Sequence, residues 1–432
     1  MNHETDTLIK GASLYGESHG DIRISHGLIS EIGDGLDARG GEVISGAGRV
    51  ALPAFVDLHT HLREPGREDS ETIASGSRAA ALGGFSAVFA MANTSPVADT
   101  AGVVEQVFRL GQEAGYVDVF PVGAVTVGIA GERLAELGAM AYSAAHVRVF
   151  SDDGHCVSDP LLMRRALEYV KAFDGVIAQH AQEPRLTEGA QMNEGVLSGI
   201  LGLTGWPAVA EESIIARDIL LASHVQSRLH ICHVSTAGSV ELIRWAKANG
   251  IAVTAEVTPH HLLLTEDLVR DYDPIYKVNP PLRTHSDVLA LREGLADGTI
   301  DIVATDHAPH PREDKDCEWN VAAFGMLGLE TALGVVTAAM KDQSGWSWRV
   351  LAERMSAEPA PIGQAHEHGR PLEVGEPANI VLIDPKAERI IDPQTFASIS
   401  RNSPFESMAL PTAVTDVFKR GRLVVRGGEI LA

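Results

Sequence analysis

Cysteine, aromatic side chains and positive charge are all scarce in this 432-residue chain. Cys156, Cys232 and Cys317 are odd in number and scattered, so no disulfide framework is expected. No apolar stretch approaches the eighteen or so uninterrupted residues of a membrane span, and the opening MNHETDTLIK has neither a basic nor an apolar leader region. With 35 Lys and Arg against 58 Asp and Glu, the net charge is -23. Neither nucleic acid nor an anionic membrane is drawn to such a surface. The expected setting is the cytoplasm and the expected partner a small molecule.

Hydrophobic residues, at 45%, suffice for a large core. Short β-branched runs recur along the chain with helical patterns between them. They centre near Phe55–Leu58, Ala87–Met91, Val119–Ala124, Val147–Phe150, Val176–Gln179, Leu229–Cys232, Ala252–Val257 and Ile302–Thr305. Eight strand-helix units in this length predict a (β/α)8 TIM-like barrel, whose active site lies at the carboxyl ends of its strands. The flanks break the rhythm. Residues 1–53 and 370–432 read as short strands joined by turns, each stretch too small for a core of its own. One composite β-sandwich domain built from both chain ends, beside a barrel over 54–369, is the economical arrangement.

Metal-binding side chains sit where the apolar runs end. His59-Thr60-His61 follows the first run, and alternation in a strand puts residues i and i+2 on one face. The segment HVRVFSDDG ends the fourth run at Asp152-Asp153, and GVIAQHA presents His180. RLHICHVS presents His233, and IDIVATDHAPH presents Asp306, His307 and His310. Neutral imidazole is the commonest side-chain ligand for transition metals. A lone strand histidine is usually a packed or surface residue, but five coincidences at strand ends are not expected for His59, His61, His180, His233 and Asp306. His146, His224, His230 and His285 read as lying at strand starts or in helices, away from the catalytic end; His3, His19, His26, His366 and His368 lie in the terminal domain or beside it. His155, His260, His261 and His307 could line the mouth without binding metal. In so acidic a chain an anionic substrate needs a local cation, and Arg63, two residues past His61, is read as a carboxylate clamp because a guanidinium fork suits that group.

The motifs HTHLREPG, GGFSAVFAMANTSPVAD, FSDDG, AQHAQEPRLTEGAQMNEG, HICHVSTAGSVELI, EVTPHHLLLT, KVNPPLR, ATDHAPH and AAFGMLGLET, in this order, together resemble the bacterial type I dihydroorotase family of the amidohydrolase superfamily. The resemblance covers nearly the whole chain, terminal segments included. It implies a first metal held by His59, His61 and Asp306, and a second held by His180 and His233. Many amidohydrolases bridge the two with a carboxylated lysine at the fourth strand, which this chain lacks. The family's spacing to the fifth-strand histidine assigns the bridge to Asp153 and leaves Asp152 pointing away. One or two Zn2+ per subunit are implied, since the mixed His/Asp set suits zinc. Bound water then ionises near pH 7 instead of about 15.7, a gain of roughly 12 kcal/mol at about 1.36 per unit.

The resemblance further implies reversible closure of N-carbamoyl-L-aspartate to L-dihydroorotate with loss of water, a step of pyrimidine (UMP) synthesis. Asp306 would act as general base and then acid. Arg63, Asn93 and His310 would hold the substrate carboxylate, with His61 alongside, while Asn279 and the backbone at Phe324-Gly325 would meet the ring amides. Met91-Ala92-Asn93-Thr94 departs from the family's MPNT and loses a proline that would restrict the turn. Competing readings are a hydantoinase or allantoinase, a metal-dependent deaminase, and a non-catalytic homologue serving aspartate carbamoyltransferase. Homodimerisation and association with that transferase are left open by the residues.

Overall fold

In the computed structural model, which describes residues 6–431, each of the eight apolar runs forms a parallel strand. They are β1 (Phe55–Thr60), β2 (Phe85–Ala90), β3 (Asp118–Pro121), β4 (Val149–Phe150), β5 (Val176–Gln179), β6 (Leu229–Ile231), β7 (Val253–Val257) and β8 (Ile302–Val303). Two arcs, β1-β2-β3 and β4-β5-β6-β7-β8, are joined into a ring by the parallel bridges Gly123 to Phe150 and Thr60 to His307. His3 and the outermost ends of the two expected terminal stretches lie outside the described residues.

Period-two sets fill the interior: Val56 and Leu58, Ala87 and Phe89, Val176 and Ala178, Ile302 and Ala304 belong to one buried cluster. That is the alternation a strand imposes. Helices cover the outside, among them α1 (Ile73–Leu82), α2 (Ala101–Ala114), α3 (Leu137–Tyr142), α4 (Pro160–Val170), α5 (Val209–Val225), α6 (Ala237–Ala248), α7 (His285–Asp297) and α8 (Ala332–Met340). Their limits are set locally. Thr284 opens α7, its hydroxyl accepting from Asp287 N–H while the Asp287 carboxylate takes the Thr284 N–H, and Gly298 closes it at φ 84.

Both chain ends meet in one mixed nine-stranded sheet, in which Val50–Pro53 pairs antiparallel with Ile380–Ile383 and parallel with Ser13-Leu14. The sheet wraps its own core of Ile9, Ile22, Ile24, Ile44, Leu382 and Phe418. The architecture is thus a TIM-like barrel with a small β domain made from the termini.

Asp118, at the amino end of β3, ties the two parts together. Its carboxylate accepts from His368 Nε2 (2.9 Å) and pairs with Lys419 (2.7 Å) and Arg420 (2.6 Å). Burial alone would raise this carboxyl, but the His368 hydrogen bond and the Lys419 charge outweigh it and hold it well below the usual range. A group whose folded pKa is depressed stabilises the protein above its unfolded pKa of about 3.9 and loses that contribution as pH falls through the folded value. Asp118→Asn is therefore expected to lower stability by about 2–4 kcal/mol at pH 7 in urea denaturation, since it strands partly buried cations. The gap from wild type should close in acid; a constant gap at all pH values would contradict the assignment.

Candidate metal centre and active site

The pairing of β1 with β2 shifts register between Asp57 and Thr60. Such irregularities re-aim side chains next to active sites. Here His59 and His61 leave the strand end with ring centroids 5.4 Å apart. Asp57 anchors the irregular segment, accepting from His59 N–H (3.1 Å) and from Thr305 N–H (3.0 Å) and Oγ1 (2.6 Å) across the β8 seam. Three site residues adopt left-handed backbone, Arg63 (φ 63), His233 (φ 31) and Asp306 (φ 47). Non-glycine residues take up that region rarely and typically where function requires it.

Four imidazoles and two carboxylates converge. Asp153 Oδ2 lies 3.4 Å from His59 Nε2 and 3.3 Å from His61 Nε2, while its Oδ1 lies 3.1 Å from His180 Nδ1 and 3.2 Å from His233 Nε2. Donor atoms of His59, His61 and Asp153 fall within 4.8 Å of one another, as do those of Asp153, His180 and His233. Asp153 is the shared member. Asp306 Oδ1 stands 3.0 Å from His61 Nε2 and 3.5 Å from His59 Nε2. Asp152 faces elsewhere and accepts from Val125 N–H, Thr126 N–H and the Thr126 hydroxyl.

The ring tautomers fit a cation. His59 Nδ1 donates to Glu256 Oε1 (2.6 Å), His61 Nδ1 to Asn93 Oδ1 (2.9 Å) and His180 Nε2 to Gln182 Oε1 (2.7 Å). In each ring the proton points outward and the lone pair points into the cluster. His59 Nε2 is buried with no hydrogen-bond partner, a condition that costs about 1–3 kcal/mol unless something satisfies it. Burial would raise the carboxyls of Asp153 and Asp306, yet the His59 imidazole and its neighbours hold both below the ordinary range. A buried, ionised, imidazole-ringed pair of this kind suits a divalent metal.

Two contributors escaped the sequence reading. Glu256, on β7, is buried and accepts from His59 Nδ1, from His233 N–H (3.1 Å) and from His230 Nε2 (3.0 Å). His230, assigned from sequence to a strand start away from the catalytic end, thus backs the carboxylate that orients His59. The signal was available: a carboxylate inside the apolar run AVTAEV must have buried partners. Glu256→Gln is expected to weaken metal affinity 10–100-fold with folding retained, as read by chelator competition; unaltered affinity would refute its orienting role.

Of the other singled-out histidines, His307 and His261 are tied into the surrounding structure. His307 Nδ1 accepts from Gly328 N–H (3.2 Å), and its Nε2 faces Glu71 (3.4 Å). His261 contacts Thr258 Oγ1 (2.8 Å) and Pro280 O (3.1 Å). His260 is buried without a partner for Nε2, and burial pushes it down to about 4. His155 is exposed.

The outer groups lie on the rim. Arg63 Nε donates to Pro309 O (3.0 Å), and its Nη2 lies 3.4 Å from His310 Nε2. Burial, then the neighbouring Arg67, brings Arg63 to about 10, still cationic at neutral pH. Burial, then the Arg63 charge, lowers His310 to about 2, and its Nε2 donates to Phe324 O (2.8 Å) while Nδ1 is unpartnered. Asn279 Nδ2 donates to Gln182 Oε1 (3.1 Å), leaving its buried Oδ1 without a donor. Both backbone groups of Gly325 are engaged, N–H to Lys277 O (3.0 Å) and C=O by Lys315 Nζ (3.1 Å) and Asn402 Nδ2 (3.2 Å). A cleft of about 1030 Å3 opens beside His310, walled by 273–276, 310–317 and 399–407.

A barrel with this donor set at its strand ends is a metal-binding hydrolase of the amidohydrolase class. A family model described as Dihydro-orotase-like matches residues 48–239. The chain is 66% identical to the dihydroorotase of Streptomyces coelicolor over 424 residues, 98% of this chain and 99% of that one. To the dihydroorotase of Mycobacterium tuberculosis it is 56% identical over 427 residues, 98% and 99% of the two. The chain belongs to the dihydroorotase family. In fold it is similar to the L-hydantoinase (dihydropyrimidinase) of Arthrobacter aurescens, with TM-score 0.87 at 25% identity over 99% of this chain and 98% of that one. The dihydropyrimidinase of Brevibacillus agri NCHU1002 gives 0.85 at 22% identity over 99% and 96%. Among the described residues no helix is long and apolar enough to cross a membrane.

Proposed function

We propose that this protein interconverts N-carbamoyl-L-aspartate and L-dihydroorotate, with His59, His61, Asp153, His180, His233 and Asp306 holding zinc in the cytoplasm and the barrel over 54–369 carrying the reaction beside a domain of 1–53 and 370–432. The observation that carries the reading is the convergence of four imidazole ring nitrogens on the shared carboxylate of Asp153. A divalent zinc held there would supply Lewis acidity and make water a nucleophile at neutral pH.

The protein's own groups then define the substrate. Arg63 is the cation for the free carboxylate, which both molecules carry. Neutral His310, its ring proton donated to Phe324 O, presents an unpartnered Nδ1 that is an acceptor for a substrate N–H rather than a donor to that carboxylate. Asn93 Nδ2 is available on the same rim because its Oδ1 is taken by His61. The bare Oδ1 of Asn279 is an acceptor suited to a ring N–H, which hydrolysis of the ring amide would leave on the ureido group. Asp306 stands within 3.0 Å of His61. In ring opening it takes a proton from the attacking water and delivers it to the leaving ring nitrogen as the C–N bond breaks; closure runs the same transfers backwards.

A hydantoinase would share the barrel and the metal donors, but a hydantoin ring need carry no carboxylate to meet Arg63. Turnover of dihydroorotate, a 5-substituted hydantoin and allantoin by the purified protein separates the readings. Dihydroorotate is expected to be opened and the other two left intact; preference for hydantoin would reject the assignment.

A further inference from the structure

Two lysines with no carboxylate partner among the described residues are buried behind the rim. Lys315 is 7% exposed, and its ammonium donates to three carbonyls: Lys277 O (3.0 Å), Ala323 O (2.9 Å) and Gly325 O (3.1 Å). Lys277 is 2% exposed. Its Nζ donates to Trp319 O (2.6 Å) and stands 4.5 Å from the centroid of the Phe324 ring. An ammonium has three donors and no acceptor, so Lys315 is saturated by carbonyls alone. Those carbonyls belong to the segment before α7, which carries Asn279, and to the irregular segment after β8, which carries Phe324 and Gly325.

Lys277 Nζ also crosses between the two segments, to Trp319 O, but Lys315 alone gathers Lys277 O, Ala323 O and Gly325 O on one nitrogen. Gly325 N–H to Lys277 O is their one direct backbone link there, and Asn402 reaches Gly325 O from the other side. Gly325 itself is at φ 144, and a Cβ there would lie 2.7 Å from His310 Nε2. Segment placement and His310 placement are therefore one geometric problem, since His310 Nε2 also donates to Phe324 O.

We propose that Lys315 is a positioning residue that fixes the Phe324-Gly325 segment and, through it, His310 and Asn279 against the substrate. This rests on the dihydroorotase reading for its substrate but not for its geometry. Burying a cation among neutral carbonyls opposes its charge, and burial with the nearby Lys277 brings Lys315 down to about 7. One buried nitrogen holding three carbonyls is well suited to organise a short irregular segment, whose carbonyls have no helix or strand to satisfy them.

The test compares wild type, Lys315→Met and Lys315→Arg, all with metal bound. Met removes every donor; Arg retains charge but cannot place three N–H groups on carbonyls spaced for one nitrogen. In either variant the KM for dihydroorotate is expected to rise at least tenfold, with kcat within threefold and metal content unchanged. Hydrogen exchange of amides 318–326, followed without substrate, is expected to accelerate at least tenfold. Unchanged exchange overturns the proposal whatever the substrate; faster exchange with an unaltered KM overturns the link to binding. Failure of wild type to open dihydroorotate would instead strike the functional reading and leave the exchange result to decide the clamp. If the Met variant does not accumulate folded, the Arg variant decides alone.

Discussion

Asp306→Ala is expected to reduce kcat for dihydroorotate opening by roughly 10³-fold, the scale on which a positioned general acid-base group contributes. Metal content should persist, because each three-donor group forms without Asp306, one from His59, His61 and Asp153 and the other from Asp153, His180 and His233. KM should change little, since Arg63, His310 and Asn279 remain in place. Steady-state kinetics with elemental analysis on the same preparation would check both halves. A variant retaining a tenth of wild-type kcat would remove Asp306 from the proton path, and a variant stripped of metal would make it chiefly a ligand.

Asp153→Ala is expected to do the reverse and empty the centre. It is the one residue common to both donor groups, so its loss leaves two imidazoles on each side with no anion between them. Loss of a partner that merely orients a ligand typically weakens metal affinity 10–100-fold; loss of a shared ligand should exceed roughly 100-fold by the same scale. Metal stoichiometry should fall together with turnover, and Asp153→Asn should follow it because the amide keeps the shape but not the charge. Full metal loading in Asp153→Ala would show that the carboxylate is not a bridge. Neighbouring Asp152 gives a contrast: its oxygens are occupied by Val125 and Thr126, so Asp152→Ala should disturb folding before it disturbs metal.

The barrel was legible because its strands are short, apolar and β-branched, and because metal donors mark their ends. The donor cluster was legible for the same reason. Less readable was anything that depends on which way a side chain turns at an irregular strand end. The contact of the Asn93 Oδ1 with His61, which leaves the amide nitrogen as its donor toward the rim, is one such case. Glu256 and His230 lie within ordinary strand patterns, and their pairing joins β6 to β7, a contact that no local periodicity encodes. The short elements between His180 and α5, namely the strand pair Met192-Asn193 and Gly205-Trp206 and the helix Val196–Leu201, carry too few residues for a period to show. Arg283 holds this insertion to the barrel by donating to Asn193 Oδ1 and Trp206 O, both at 2.8 Å, which again is a tertiary fact.

The sheet built from both chain ends has a consequence for biosynthesis. Val50–Pro53 needs Ile380–Ile383 as its antiparallel neighbour, and about 330 residues of polypeptide separate them. At translation speeds of about 5–20 residues per second, roughly 20–60 s pass before the second segment leaves the ribosome. During that interval Ile9, Ile22 and Ile44 lack Leu382 and Phe418 to pack against. The nascent chain thus presents an unfinished apolar edge of the sort that chaperones bind, and premature termination before residue 380 should yield an aggregating product even though every barrel strand has by then been made.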